Sequence, residues 1–410
     1  MAKQNSHEEI IQRFEKMIIT GKNYFFDLNE FLEIIDHYIF IGNYTLAWKA
    51  IHKADKQYQG NFDIDLFKAE ILALENKYDE ALDLLEILQE RVKDNVEVYL
   101  LEADIYSRTN QHHKAIKTLQ KALKINKKDT EILDLLTIEF LYLDDYENAL
   151  KASLLSLKYD PENQAALYNA VSCYDYLNLI DQSIKFLENY VNRMPMSEIG
   201  WSLLAKKYIE QKEYIKALKA LDFAIAIDDK FLGAYYDKAH VLTHLGNYSE
   251  AIKYYKITLG ISDPTPFAFY HIAKNYEMDG QNEQAIQFYQ KAIHEDPGHY
   301  KSWLSLINIL EKEGKIKEAL KNSEKAIRTA PTQELYEKYA KLLFQVDKID
   351  ETIKALEMSL KMGVLKIPTV LMLADLYKLK GEKEKFRSLL LEARKQYPDS
   401  KEIQNKMSGN

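Results

Sequence analysis

The sequence predicts an all-α protein, an α-α solenoid in which one pair of helices is repeated along the chain. Small residues recur with a period of 34, and the apolar residues between them fall at helical spacing in two blocks per period. The recurring positions are Ala47, Ala81, Ala115, Ala149, Ser183, Ala217, Ala251, Ala285 and Ala319, followed after a slip of one residue by Thr352 and Phe386. With only 13 glycines and 8 prolines in 410 residues, we expect one continuous array without long linkers.

One period, residues 266–299, shows why each half is expected to form a helix. Apolar residues line one face of each half: Phe269, Ile272, Ala273 and Tyr276 in the first, and Ala285, Ile286, Tyr289, Ala292 and Ile293 in the second. Gly280 lies between the halves, where a tight turn requires a left-handed residue. Pro297 closes the period, where no backbone donor is needed. The period is therefore predicted to be two antiparallel helices.

This pattern resembles the tetratricopeptide repeat (TPR) family when position 1 is placed at residues 28, 62, 96 and onward. The signature residues are Ala69, Ala103, Ala205, Ala239, Ala273, Ala340 and Ala374 at position 8, Tyr38, Tyr106, Tyr174, Tyr208, Tyr276 and Tyr377 at position 11, Pro161, Pro195, Pro297, Pro331 and Pro398 at position 32, and Trp201 and Trp303 at the family's tryptophan position. The resemblance implies about eleven repeats over residues 28–398 and a right-handed TPR superhelix. These residues are expected to pack in the core, so they indicate the fold and not the task.

The ends and a few departures modify this regular plan. Residues 1–27 are predicted to hold a capping helix, from about residue 7 to 20, which shields the first repeat, and residues 399–410 a C-terminal cap or tail. Asp27 with Glu30 reads as a capping box. Ser153 and Tyr190 stand where small or apolar residues are usual. An irregular junction is expected near residues 331–368, where one residue is missing and the linker KMGVLKIP is atypical.

Composition narrows the class of protein. The single cysteine, Cys173, excludes an intramolecular disulfide and is expected to be buried as a small apolar group. No apolar run is long enough for a membrane span, and the first residues lack a signal-peptide pattern, which predicts a cytoplasmic protein without membrane insertion. Richness in Lys, Ile, Asn and Tyr suggests a bacterial source. The net charge of −8 is uneven, because residues 301–410 carry +6 and residues 1–300 carry −14.

No pattern for catalysis or for a cofactor is present, so we predict that the protein is not an enzyme. The sequence lacks a glycine-rich phosphate loop, paired cysteines for zinc, HExxH and a nucleophile elbow. His240 and His244, with His271 in the next repeat, have metal-ligand spacing, but solvated histidines are the simpler interpretation. We expect His112 and His113 to lie in a turn. RNA binding of the kind seen in pentatricopeptide proteins is disfavoured, because the first 300 residues are acidic.

The first helix of each repeat is where specificity is expected, because in the TPR family positions 2, 5, 9 and 12 face the concave groove. In the first four repeats these positions hold seven acidic residues and no basic ones. Asp36, Glu70 and Asp104 at position 9 form an acidic ladder with one rung per repeat, and Asp134 stands at position 5 of the fourth repeat.

Repeats five to eight change character at the same positions. Position 5 holds Tyr168, Tyr236 and Tyr270, position 9 holds Lys206, His240 and Lys274, and position 2 of repeat eight holds Phe267. An aromatic strip with a basic edge suits a peptide that carries apolar and acidic groups. The sequence thus predicts one ligand with polarity, basic near the acidic ladder and apolar or acidic near the tyrosines.

These patterns together predict a non-enzymatic scaffold or adaptor that binds an extended or helical segment of partner proteins in the groove. An assembly chaperone or co-chaperone for a specific client is the alternative, and a metal-binding or nucleic-acid-binding solenoid is a minor one. The lysine and asparagine clamp by which some TPR domains hold chaperone tails has no match in three consecutive repeats. The sequence identifies neither the partner nor the oligomeric state.

Overall fold

The computed structural model describes residues 2–262 and 265–408, and its described side chains begin at His7. Within these residues the chain forms 24 α-helices and no strand, which confirms the all-α prediction. The chain divides into two compact units, Met1–Asn189 (unit 1) and Tyr190–Asn410 (unit 2). Among the described helices, none has both the length and the apolar character that a bilayer span requires.

The helices of unit 1 are α1 (Ala2–Thr20), α2 (Leu28–Phe40), α3 (Tyr44–Gln57), α4 (Phe62–Leu74), α5 (Tyr78–Arg91), α6 (Val96–Arg108), α7 (His112–Ile125), α8 (Thr130–Tyr142), α9 (Tyr146–Tyr159) and α10 (Gln164–Tyr176). Helix α11 (Ile180–Arg193) begins in unit 1 and ends in unit 2.

The remaining helices of unit 2 are α12 (Glu198–Glu210), α13 (Tyr214–Ile227), α14 (Leu232–His244), α15 (Tyr248–Ile261), α16 (Pro266–Met278), α17 (Asn282–Glu295), α18 (Tyr300–Lys312), α19 (Ile316–Thr329), α20 (Gln333–Gln345), α21 (Ile349–Met362), α22 (Ile367–Lys380), α23 (Lys383–Gln396) and α24 (Lys401–Ser408).

After α1 the helices form pairs, with the even-numbered helix first and the odd-numbered helix second. The pairs begin every 34 residues from Leu28 to Tyr300, and the tenth pair begins one residue early at Gln333. The small residues that define the period lie where two helices cross, and Ala47, Ala81 and Ala115 have no exposed surface. First helices of neighbouring pairs also contact each other, as α2 does with α4 and α4 with α6 in unit 1, and α12 with α14 in unit 2. Each unit therefore presents a face built from first helices alone.

The turn inside each pair is fixed by one residue with a positive φ angle. Gly280 has φ 78°, as the sequence predicts, and asparagine or aspartate serves at most turns that lack glycine. Lys212 is the exception. Its backbone lies in the left-handed region at φ 60°, where the β-carbon of a lysine crowds the following carbonyl oxygen.

Helices α1 and α24 pack against the helices next to them. On α1, Ile11, Phe14 and Met17 are buried in a cluster that includes Ile34 and Tyr38 of α2. The capping box of Asp27 and Glu30 is present at the start of α2. At the other end, the short helix α24 buries Ile403. Residues 409 and 410 of the expected C-terminal tail, like Met1, lie outside the described residues, and the domain boundaries and the irregular junction near 331–368 stay predictions.

The expectation for His112 and His113 is wrong, because the turn ends at Gln111 and both histidines lie in the first turn of α7. The His112 ring stacks on Tyr142 with centroids 4.8 Å apart, and its Nδ1 lies 2.9 Å from a carboxylate oxygen of Glu139. His112 thus joins two repeats through packing that the spacing of the sequence did not reveal.

Candidate functional site

An open cavity of about 690 Å³ crosses the first helices α2, α4, α6 and α8 of unit 1, and we call it the acidic groove. Its lining residues are all acidic or apolar. They are Leu32, Asp63, Leu66, Phe67, Glu70, Glu97, Leu100, Leu101, Asp104, Glu131 and Leu135. These side chains come together because positions 2, 5 and 9 share one face of an α-helix and because first helices lie side by side.

The predicted acidic residues occupy different places relative to this groove. Glu70 and Asp104 line it, whereas Asp36 is exposed on α2 and acts on Glu70 through its charge. Asp134 is not among the lining residues, and its Oδ2 accepts a hydrogen bond of 2.6 Å from the amide of Asn163.

The groove also contains apolar residues that sequence reasoning missed. Phe67, Leu101 and Leu135 stand at position 6, which is not among the positions expected to face the groove, yet they line the cavity. An apolar residue at position 6 in three successive repeats was the available signal. The repeats therefore contribute more apolar surface to the floor of the groove than the leucines at position 5 alone.

The carboxylates of the groove repel one another. Burial raises the pKa of Glu70, and the negative charges of Asp36 on α2 and Glu97 on α6 raise it further. Within the described part of the chain, no lysine, arginine or histidine nitrogen lies within 4.0 Å of the carboxylates of Glu70 or Glu97, although Asp104 pairs with Arg108 at 2.7 Å. The groove thus holds negative charge that the chain itself only partly neutralises.

In unit 2, aromatic side chains from successive first helices contact each other. The rings of Tyr236 and Phe267 meet edge to face at 5.3 Å, and Phe267 lies 4.2 Å from the ring of His271. Tyr270 in turn contacts the ring of His299 at 5.3 Å. Phe267 is 51% exposed, so solvent reaches this surface, which we call the aromatic strip. Tyr168, with 45% of its surface exposed, lies in unit 1.

The basic edge of the aromatic strip consists of lysines. Lys206 is exposed, and Lys274 forms an ion pair of 3.3 Å with Glu277. Burial and the nearby His244 lower the pKa of His240, whose Nε2 lies 3.2 Å from Nε2 of His244. His240 is therefore uncharged at neutral pH, and it adds a polar ring to the strip but no positive charge.

Two partly buried titratable groups, Asp237 and His271, lie on the same first helices as the strip. Burial raises the pKa of Asp237, and its electrostatic interactions with Lys206 and His240 partly offset this increase. The buried Oδ2 of Asp237 has no hydrogen-bond partner. Burial, together with the charges of His240 and His299, lowers the pKa of His271 to about 4, and its ring stacks on Tyr255 at 5.3 Å. Both residues stand at position 6, next to the groove-facing position 5.

A metal-binding solenoid was one of the minor alternatives. Among the described residues, no group of three or more His, Cys, Asp or Glu side chains is arranged to hold a metal ion. Cys173 is buried as expected, and burial raises the pKa of its thiol to about 11.

Comparison with known proteins places the repeats in a family. Models of the tetratricopeptide repeat match residues 72–138 and 278–342, and a further tetratricopeptide repeat model matches residues 232–256. A search of curated proteins gives no match.

Parts of the chain are also similar to solved structures over most of the length of those structures. The MamA protein is 26% identical, with 42% of this chain and 94% of that chain covered and a TM-score of 0.37. A tetratricopeptide repeat protein from Parabacteroides merdae is 18% identical, with 60% and 97% covered and a TM-score of 0.42. YrrB, described as a TPR protein with an unusual peptide-binding site, is 17% identical, with 43% and 91% covered and a TM-score of 0.35.

The matched segments fall in both units, and each lies within the 34-residue helical pairs already described. These segments are therefore tetratricopeptide repeats, which supports the resemblance of the 34-residue pattern to that family.

Proposed function

We propose that this protein is a non-enzymatic scaffold that binds extended or helical segments of partner proteins on the faces formed by its first helices. The acidic groove carries the proposal, because four successive helices line one open cavity with both leucines and carboxylates. Such a surface offers apolar contact for affinity and charge for selectivity. The tetratricopeptide repeats, which generally serve in protein interaction, support a binding role over catalysis.

The proposed binding residues form two separate sets. In unit 1 they are Asp36, Glu70, Asp104, Asp134 and Tyr168, and in unit 2 they are Lys206, Tyr236, His240, Phe267, Tyr270 and Lys274. The two sets differ in charge, so we propose that each recognises a segment of different chemistry. A cytoplasmic location and a bacterial source remain part of the proposal.

Affinity capture with the full chain, followed by mass spectrometry, tests this function. We expect the variant Tyr236→Ala with Tyr270→Ala to lose its main partner, because truncation of a central aromatic residue often costs about 2 kcal/mol or more. The matched control is Phe40→Ala with Tyr176→Ala, which removes two aromatic rings that are 89% and 63% exposed at the ends of first helices.

The control variant should capture the partners of the wild type. If the Tyr236 and Tyr270 variant keeps its helical circular dichroism and still captures every partner, and Glu70→Gln with Asp104→Asn does so too, binding belongs to another surface and the proposal is wrong.

A further inference from the structure

The side chains of the acidic groove form three rows that run from one repeat to the next. The middle row is apolar and consists of Leu32, Leu66 and Leu100 at position 5. A carboxylate row lies on each side: Asp63, Glu97 and Glu131 at position 2, and Asp36, Glu70 and Asp104 at position 9. Positions 2, 5 and 9 lie on successive turns of one helix face, and the order acidic, apolar, acidic is complete on α4 and α6. Helix α2 has Asn29 at position 2, and helix α8 has Asp134 and Ile138 at positions 5 and 9.

We propose that the acidic groove binds a basic amphipathic α-helix, with its apolar stripe on the leucine row and its lysines or arginines on the two carboxylate rows. This inference rests on the proposed function and specifies the partner of the same site. It concerns unit 1 alone.

The width of the groove favours a helix over an extended segment. The two carboxylate rows are separated by seven residues of α-helix, or about 10 Å, which matches the 10–12 Å diameter of an α-helix with its side chains. A helix presents a central stripe with flanks on both sides toward one surface. An extended strand turns alternate side chains away from that surface, so it offers one row and not three.

The length of the rows sets the length of the ligand. Packed helices lie about 8–10 Å apart, so the four first helices span roughly 25–30 Å, which corresponds to a helix of about 17–20 residues. Neighbouring leucines of the middle row are then met by ligand residues about six or seven positions apart. The leucine row ends where Asp134 replaces leucine in the fourth repeat.

Charge decides the sign of the ligand. Asp36 and Glu97 face Glu70 from the helices on either side, and the carboxylates of Glu70 and Glu97 have no cation of the described chain within 4.0 Å. A cation placed between these rows relieves their mutual repulsion, whereas an acidic or nucleic-acid ligand adds to it. A neutral apolar helix would leave carboxylates such as Glu70 without a counter-ion.

Defined peptides test the inference. The probe is a fluorescent, end-blocked peptide of about 20 residues with leucines on one helical face and lysines on both flanks. Three controls share its length: a scrambled peptide of equal charge, a peptide with alternating leucine and lysine that forms strands, and a peptide with glutamate in place of lysine. Binding to the full chain is followed by anisotropy at about 50 and about 200 mM salt.

We expect the helical probe to bind at least tenfold more tightly than any control and to weaken at the higher salt. Glu70→Gln with Asp104→Asn should lower its affinity and flatten the salt dependence. Leu66→Ala with Leu100→Ala should lower its affinity roughly tenfold or more. The matched control Asp79→Asn with Asp83→Asn removes two exposed carboxylates from the second helix α5, outside the groove, and should leave the affinity unchanged.

Several results would overturn the inference. Equal binding of the scrambled peptide would show unspecific attraction to negative charge. Tighter binding of the alternating peptide, sensitive to the same variants, would leave the proposed function standing with an extended ligand. Self-association of the wild type that is lost in the leucine variant would make a second copy the occupant. If no peptide responds to groove variants and partner capture is also unchanged, the proposed function fails as well.

Discussion

The packing of Tyr190 against Gly200 provides a sharp test of how successive helices fit together. Tyr190 on α11 is only 3% exposed. A β-carbon added at Gly200, in the first turn of α12, would lie 2.8 Å from Cε1 and 2.9 Å from Cδ1 of the tyrosine ring. Because β-carbons do not approach other atoms so closely, the ring occupies the space of the missing side chain, and the two residues form a pair matched in size.

The energies of the single variants follow from this geometry. Tyr190→Ala empties a buried site and should cost about 3–5 kcal/mol. Gly200→Ala forces the ring to shift, which costs about 1–3 kcal/mol, but it also gains about 1 kcal/mol of helix propensity. When Tyr190→Ala is present, the new methyl group enters the space that the ring has left. Its remaining close contact is Ser197 Oγ at 3.1 Å, so most of the gain in helix propensity is kept. The double variant should therefore be more stable than the sum of the singles by about 1–3 kcal/mol.

Hydrogen exchange measures these free energies in the full chain, since repeat proteins need not unfold in one step. The amides of α11 and α12 report the opening of this site in the wild type, both single variants and the double variant. Gly260→Ala in α15 is the matched control, because nothing lies within 4 Å of its added β-carbon. It should stabilise its helix and show no coupling to Tyr190→Ala. If the effects at Tyr190 and Gly200 add within about 0.3–0.5 kcal/mol, the steric argument is wrong.

Three further predictions follow from the described residues. Glu70→Gln should raise the thermal stability at pH 7, because burial and then the charges of Asp36 and Glu97 raise the folded-state pKa of Glu70. The penalty of the charged form is relieved as the pH falls through that pKa, so the melting temperatures of variant and wild type should converge at about pH 4. Lys212→Gly should stabilise the chain by up to about 1 kcal/mol in chemical unfolding, because glycine removes the left-handed strain at the cost of some chain entropy. Hydrogen exchange should be faster in α9, whose buried serines replace apolar groups, than in α17, and uniform protection would contradict this.

Periodicity made much of the fold predictable, for a physical reason. A small residue is needed wherever two helices cross closely, so one constraint recurs at every pair and marks the register, as the fully buried Ala149 and Ala217 illustrate. The start of α2 could be predicted from neighbouring residues alone, because the capping box of Asp27 and Glu30 involves residues only three positions apart.

Pairings between helices were harder to predict, because each residue alone appears unsuitable. Tyr190 reads as a departure from a small-residue position, and its reason lies ten residues away at Gly200. Two of the equivalent pairs in other repeats, Ala54 with Ile64 and Ala122 with Ile132, exchange the small and the large member. Other pairs, such as Leu88 with Val98, do not. The position of a histidine in the sequence does not reveal its protonation state. His240 was therefore counted as basic, although burial and His244 lower its pKa.

The two candidate surfaces should differ in how they bind, since their chemistry differs. Charge in the acidic groove acts over a Debye length of about 8–10 Å and accelerates encounter, so removal of the charges at Glu70 and Asp104 should mainly slow association and reduce its dependence on salt. The aromatic strip acts only on contact, because Tyr236 and Tyr270 contribute through packing and His240 is neutral at pH 7. Their truncation should therefore mainly accelerate dissociation. Association and dissociation rates thus assign a captured partner to one surface or the other, even before the segment that it contributes is known.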